Sequence, residues 1–510
     1  MIQTPRVFKL PLLLLLPFTL HAQVNYEGAR PWSIKANEGP DAEVDGWFYN
    51  LGITGLRAKL SQEQPEDLVI RHVFKRTPAA KAKLKEGDII VGINGKQLEI
   101  PHLNGYGEEV FGAQGPISTF AEALDHSLKN KKPLKLTVLK AKSQKEEEVS
   151  LKFPSSAKAF ANDFPLDCPK SEELVIELLD HLKDHQNKNG SFGRVPRDTF
   201  APLAMMSSGL SKYRKSIEKN VKYHAETTST KDRGSLINWR YMAAGIVLSE
   251  YYLATEKKWV LKELQEIYDF LSWSQYTDIS QLHPKSKETH PDALPQPNKT
   301  ALGGWGHNPG FEGYGPICMT TAQGAICFAL MHRCGIKVDR ERLDSAYDFL
   351  HRGASKNGYI WYSDKVAKEN SYADMGRTAA SAIAYALSPY PEPHYQERAQ
   401  RYSQVMGTYP KTFPDTHGSP IMGMGYGAAG AMFSAETYQK IMKANRFWFI
   451  TAECADGTYY YQPNRDNAGY GNDSRLSASA ATAFILMAPK KALHITGKQP
   501  TTDVIGVPSP

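Results

Sequence analysis

Eight side chains in this 510-residue chain are of types that could do chemistry together: Trp239, Arg240, Trp305, His307, Tyr372, Arg377, His417 and Arg475. Arginines hold a carboxylate, sulfate or phosphate through paired N–H groups. Aromatic faces stack on sugar rings, and histidine or tyrosine can move a proton. With Tyr372, His307 or His417 as base and Arg240 or Asn238 against a uronate carboxylate, the set would serve a polysaccharide lyase. A glycoside hydrolase needs two carboxylates about 5 to 9 Å apart, for which Asp374, Asp473 and Glu312 are at hand. Each group also has a plainer role. Asp198, Asp374 and Asp473 stand where N-caps stand. Trp305 and Trp361 lie in Gly-rich turns that need packing. The arginines could each meet a buried carboxylate instead of a ligand.

The eight residues lie in or beside a repeated element. Six polar, Gly-rich, aromatic loops run into small-residue helical stretches at 197–209, 233–252, 313–335, 371–388, 417–434 and 472–488. Between them lie charged amphipathic segments at 170–186, 211–224, 256–275, 338–353, 393–407 and 435–450. Small residues allow close neighbours on all sides and mark inner helices; a single apolar stripe marks outer ones. Strict alternation of six and six predicts an (α/α)6 toroid over 170–492. Its inner helices run the same way, so their N-termini share one face, where helix-end charge favours an anionic group.

Residues 45–153 are patterned differently, with short β-rich runs and helices predicted near 78–84 and 118–129. The segment TPAAKAKLKEGDIIVGINGK starts a short helix at Pro78, turns at Gly87 and closes a hairpin at Asn94-Gly95. This order of elements resembles a bacterial PDZ domain over about 110 residues. The resemblance implies that a C-terminal peptide adds a strand to a sheet edge. Asn50, Leu51, Gly52 and Ile53 would then cradle its carboxylate, facing Phe120 and Leu124. The alternative is a groove that is empty or filled by the protein's own linker, with the domain as a spacer. The boundaries expected are a signal peptide at 1–22, an N-terminal segment at 23–44, a linker at 154–169 and a tail at 493–510. Ser171 is the expected N-cap of the first toroid helix.

The loops NKNGSFG (187–193), GGWGH (303–307), SKNGYIWYSD (355–364) and CADGTYYYQ (454–462) resemble those of terpenoid cyclases and protein prenyltransferase β-subunits. In those families a Gly-aromatic turn closes each helix pair. The whole arrangement also resembles exported bacterial PDZ proteins with a C-terminal toroid domain of unknown function. The sequence departs from the enzymes: it has no Asp-x-Asp-Asp run and no Cys-Gly-Glu-Gln thioester, and Cys454-Ala455-Asp456 reverses the prenyltransferase zinc pair. Terpene, prenyl and thioester chemistry are disfavoured, and no metal or cofactor is expected.

Arg6 and Lys9 precede the apolar run PLLLLLPFTL, which is too short to span a bilayer and reads as a signal peptide. A periplasmic or extracellular protein follows. Removing those two charges takes the formal charge from +7 to +5, spread among acids, so no nucleic-acid footprint is present. Five cysteines leave at least one unpaired; Cys327 and Cys334, seven apart on one helix, cannot bridge. The function expected is an exported binding or processing protein, its PDZ domain taking a peptide or chain end and its toroid a glycan. The alternatives are a lyase or hydrolase, or a noncatalytic scaffold or protease-regulating adaptor.

Overall fold

A computed structural model describes residues 49–61, 63–102, 115–193, 195–295, 300–370, 374–414, 420–460 and 475–499. Tyr372, His417 and Asp473 lie outside them, as do the proposed leader and the tail from 500.

The N-terminal domain is an antiparallel sheet with two helices. Its strands are β1 (Tyr49–Asn50), β2 (Leu56–Leu60), β3 (Leu68–Val73), β4 (Ile89–Ile93), β5 (Lys96–Gln97), β6 (Leu134–Leu139) and β7 (Glu146–Leu151). The order is β1-β2-β3-β4-β6-β7, with β5 hairpinned onto β4. Alternating apolar residues (Leu56, Leu68, Ile70, Ile90, Leu136 and Val138) are fully buried beneath the sheet. Helix α1 (Pro78–Lys81) has Pro at its first turn and Thr77 as its cap. Helix α2 (Pro116–Lys129) buries Phe120, Ala121 and Leu124 against the sheet.

The remainder is helical. Outer helices are α3 (Pro169–Asp184), α5 (Arg214–Glu226), α7 (Trp259–Ser274), α10 (Arg340–Arg352), α12 (Pro393–Val405), and the pair α14 (Ala435–Ala444) and α15 (Arg446–Ala452). Inner helices are α4 (Val195–Ser208), α6 (Ile237–Thr255), α9 (Cys318–Arg333), α11 (Met375–Ala386), α13 (Pro420–Ala431) and α16 (Arg475–Met487). A short helix, α8 (Pro284–Thr289), sits in the long loop before α9. Each inner helix packs on the next, α4 on α6, then α9, α11, α13 and α16, and α16 packs back on α4. The ring closes, and the protein is a small β-rich domain followed by an all-α toroid of the (α/α)6 kind.

Small residues make the ring tight. A methyl group on Gly324 would stand 2.7 Å from the Trp305 ring, and one on Gly430 would stand 2.5 Å from the Ala379 carbonyl oxygen. The Gly-aromatic turns are one device used three times. Asn187 N donates to Ser191 O, Ser355 N to Tyr359 O, and Cys454 N to Thr458 O, at 2.7 to 2.9 Å. At the centre of each turn a side-chain oxygen (of Asn189, Asn357 or Asp456) accepts the backbone N–H two residues on. A glycine at positive φ follows each time, at 190, 358 and 457. The next aromatic segment is tied to the inner helix it precedes: Phe192 N to Asp198, Trp305 N to Thr321, Ile360 N to Thr378 and Tyr459 N to Ser479.

Two local expectations change. Helix α3 begins at Pro169 after Cys168, not at Ser171, because Pro at the first turn already fixes φ and needs no donor partner. The outer segment 435–450 breaks at Asn445, whose side-chain amide donates to the carbonyls of Ile441 and Pro410. All five cysteines are buried, and none is in a disulfide among the described residues. Among the described residues no helix is long and apolar enough to cross a membrane.

Candidate functional site

At the N-terminal face of the ring, side chains from four separate segments meet in a line. Trp239, at the start of α6, donates its indole N–H to His307 Nδ1 at 2.7 Å. The two rings stack with centroids 5.7 Å apart. His307 Nε2 lies 2.5 Å from the Tyr314 hydroxyl, and the Tyr362 hydroxyl donates to Tyr314 at 2.8 Å. The Arg377 guanidinium sits 5.5 Å from the Tyr362 ring centroid. Trp239, Tyr314 and Tyr362 are half-buried, so the line offers ring faces to solvent over a buried polar spine.

Arg377 is the group in this line whose requirements the described residues leave unmet. It is 8% exposed. Its nearest acid among the described residues is Asp374, 4.0 Å away, and that carboxylate already caps α11 through Arg377 N. Arg377 Nε is buried without a hydrogen-bond partner among the described residues, as are Asn308 Oδ1, next to His307, and Trp361 Nε1, next to Tyr362. A buried cation with an unused donor costs free energy unless an anion arrives to use it. Burial pushes the Tyr362 hydroxyl above its ordinary pKa, so it stays a neutral donor.

The other residues singled out in the sequence lie elsewhere. Arg240 turns away to Asp232, 2.7 Å, and to the Thr227 carbonyl. Trp305 is fully buried, with its indole N–H on the Leu271 carbonyl at 2.8 Å; it is a packing residue beneath α9. Arg475 pairs with Asp456 at the edge of the ring, against the N-terminal domain. Tyr314 and Tyr362 were not among the eight. The small offsets within 303–314 and 355–364 do not reveal that two turns 48 residues apart, before successive inner helices, meet hydroxyl to hydroxyl.

The loop 50–53, expected to cradle a chain end, faces the toroid. Asn50 donates its amide N–H groups to the carbonyls of Thr451 and Glu453, at 2.6 and 2.8 Å. A methyl group on Gly52 would stand 2.8 Å from the Ile450 carbonyl oxygen. Leu51, Phe120 and Leu124 are fully buried, and Ile53 is half-buried. Residues Tyr49 and Asn50 themselves pair with β2 through Ala58 and Arg57. Arg446 of α15 completes the junction by holding Asp125 at 2.7 Å and the Phe160 carbonyl at 2.6 Å. Beside this junction the two domains flank a half-open cavity of about 860 Å³, lined by His72, Phe74 and Lys81 on one wall and Glu177, Asp456 and Arg475 on the other.

The chain belongs to the family described as "Domain of unknown function (DUF6288)", which matches residues 171–497 and so spans the toroid. Residues 49–100 match the PDZ domain family. Among curated proteins nothing matches the chain. Of solved structures, it is similar to an inactive variant of the alpha-1,6-mannanase GH76A of Salegentibacter sp. HEL1_6 in complex with alpha-1,6-mannotriose. The identity is 13% and the TM-score 0.45, over 63% of this chain and 99% of that one. It is also similar to a glycosyl hydrolase family 88 protein from Bacteroides vulgatus, at 11% identity and TM-score 0.41 over 63% and 99%. A third is the unsaturated glucuronyl hydrolase of Bacillus sp. GL1, at 10% and 0.35 over 62% and 94%. Identity at this level relates no individual residue of this chain to any of theirs.

Proposed function

We propose that this is an exported protein whose toroid binds a glycan carrying an anionic group, at the line from Trp239 to Arg377. The observation that carries the reading is Arg377: nine-tenths buried, its Nε unused among the described residues, at the end of a run of half-exposed rings with hydroxyl and imidazole edges. Aromatic faces supply stacking area for sugar rings, and a guanidinium supplies bidentate hydrogen bonds to a carboxylate or sulfate. The start of α11, with its N-terminal N–H groups, adds a favourable field for the same charge. Carbohydrate binding precedes any processing step. The PDZ domain, in this reading, holds its chain-end cradle against α15 and acts first as a docking module of the toroid.

The test is calorimetric titration of the full chain with oligogalacturonate and with neutral oligosaccharides of equal length. Oligogalacturonate is expected to bind, and Arg377→Gln to weaken it at least tenfold with little change in melting temperature. Equal binding by Arg377→Gln and wild type, or no saccharide bound at all, would sink the reading.

A further inference from the structure

We infer that the cavity between the two domains is a second, hydrolytic site, where Glu177 and Asp456 act as acid and base on a uronate-bearing glycan. This rests on the glycan reading above and adds a reaction and a place for it. The cavity of about 860 Å³ has the volume of a ligand site. Its toroid wall brings a helix residue, Glu177 of α3, against the turn that carries Asp456. A methyl group on Gly457 would meet Glu177 Oε2 at 2.9 Å.

The two carboxylates are held differently. Asp456 pairs with Arg475 and accepts both the N–H and the hydroxyl of Thr458. Neighbouring acids have cations of their own: Glu453 takes Lys170 at 2.6 Å, and Glu173 takes Lys158. Glu177 has neither an ion pair nor a hydrogen bond among the described residues. Burial and then the charges of Glu453 and Glu173 raise its pKa against the pull of Lys170. Burial opposes ionisation of Asp456 too, but Arg475 and Thr458 outweigh it and lower its pKa. Two carboxyl groups displaced in opposite directions divide into proton donor and proton acceptor.

The internal repeat makes Asp456 informative. The same turn is built with Asn189 and Asn357, so the turn needs a side-chain carbonyl oxygen and no charge. What sets the third copy apart is a carboxylate, held against the buried Arg475 on the cavity wall. On the facing wall Lys75, Arg76 and Lys81 line the cavity, and none has an ion-pair partner among the described residues. They suit the carboxylates of a polyuronate.

In the step, Glu177 gives its proton to the glycosidic oxygen as the bond from that oxygen to the anomeric carbon breaks. A water molecule attacks that carbon from the opposite face and loses a proton to Asp456. One water is consumed, and solvent returns the proton from Asp456 to Glu177.

The test follows new reducing ends released from polygalacturonate by the purified full chain. Wild type is expected to release them, and Glu177→Gln and Asp456→Asn each to be slower by at least about 100-fold. The melting temperature of Glu177→Gln should match wild type. Asp456→Asn keeps the turn, as asparagine does at 189 and 357, but leaves Arg475 without its carboxylate, so rates are compared at a temperature where circular dichroism shows all three proteins folded. The same two variants should bind oligogalacturonate at the Arg377 site as wild type does. Release at wild-type rates by both variants would overturn the inference, and so would an unsaturated product, which marks elimination. Binding through Arg377 with no reducing ends released would overturn it alone and leave the binding reading standing. Release that depends on Glu177 without binding at Arg377 would do the reverse.

Discussion

The indole N–H of Trp239 ends on His307 Nδ1, 68 residues further along the chain. That bond makes Nδ1 an acceptor, so in neutral His307 the proton is on Nε2, pointing to the Tyr314 hydroxyl. The loop before α9 is thereby latched to the start of α6, and one end of the line from Trp239 to Arg377 is set by a single tautomer.

Replacing Trp239 by Phe keeps the ring and removes the donor. His307 Nδ1 then loses its partner in a nearly buried position, at a cost of about 1 to 3 kcal/mol. Urea unfolding should show that loss, and oligogalacturonate affinity should fall with it. Retention of both would mean the latch is incidental.

The junction between the domains should yield to Asn50→Ala and Arg446→Ala. Asn50 satisfies two carbonyls of the toroid, and Arg446 satisfies Asp125 and the Phe160 carbonyl. Each change should cost about 2 kcal/mol or more. Limited proteolysis is then expected to cut faster at 154–168 and to separate a β-rich fragment from a helical one. Freed of Ile450, the Leu51-Gly52-Ile53 cradle should bind a free C-terminal peptide more tightly than its amidated twin; wild type should bind both weakly. Strong wild-type binding to free C-termini would show that the cradle is open.

Acid should loosen the N-terminal domain through Asp88. Burial works against its charge, but Lys140 and the N–H groups of Ala141 and Lys85 outweigh it and hold its pKa below the ordinary carboxylate value. The folded pKa is depressed, so this stabilisation is complete above the unfolded value near 4 and is lost as pH falls below it. Asp88→Asn is expected to cost about 2 kcal/mol at neutral pH. It should also flatten the loss of stability between roughly pH 4 and 2. An unchanged acid limb would assign that limb to other carboxylates.

Gly324→Ala tests the inner ring directly. The added methyl meets the buried Trp305 ring at 2.7 Å, and that ring is fixed by its bond to the Leu271 carbonyl. Overpacking there should cost about 1 to 3 kcal/mol. A melting temperature within a degree of wild type would mean that Trp305 can move.

Local pattern was enough for the elements. The small-residue and amphipathic segments anticipated the alternation of inner and outer helices, because a helix buried on all sides and one buried on a stripe need different residue spacings. PDZ turns at Pro78, Gly87 and Asn94-Gly95 were legible because their backbone angles demand those residue types. What local pattern carries no record of is which way a side chain turns once its helix is packed. Arg240, Arg377 and Arg475 look alike in sequence, each at an inner-helix start. One finds Asp232, one finds Asp456, and Arg377 is left with a buried, unused Nε. Likewise Asp456 reads as a turn residue until the fold sets Glu177 beside it. Side-chain charge and turn geometry are fixed within a few residues of chain, whereas burial, and with it the direction each arginine takes toward or away from a nearby acid, comes from packing between segments distant in sequence, so only the closed toroid decided which groups are spent on structure and which remain for a ligand.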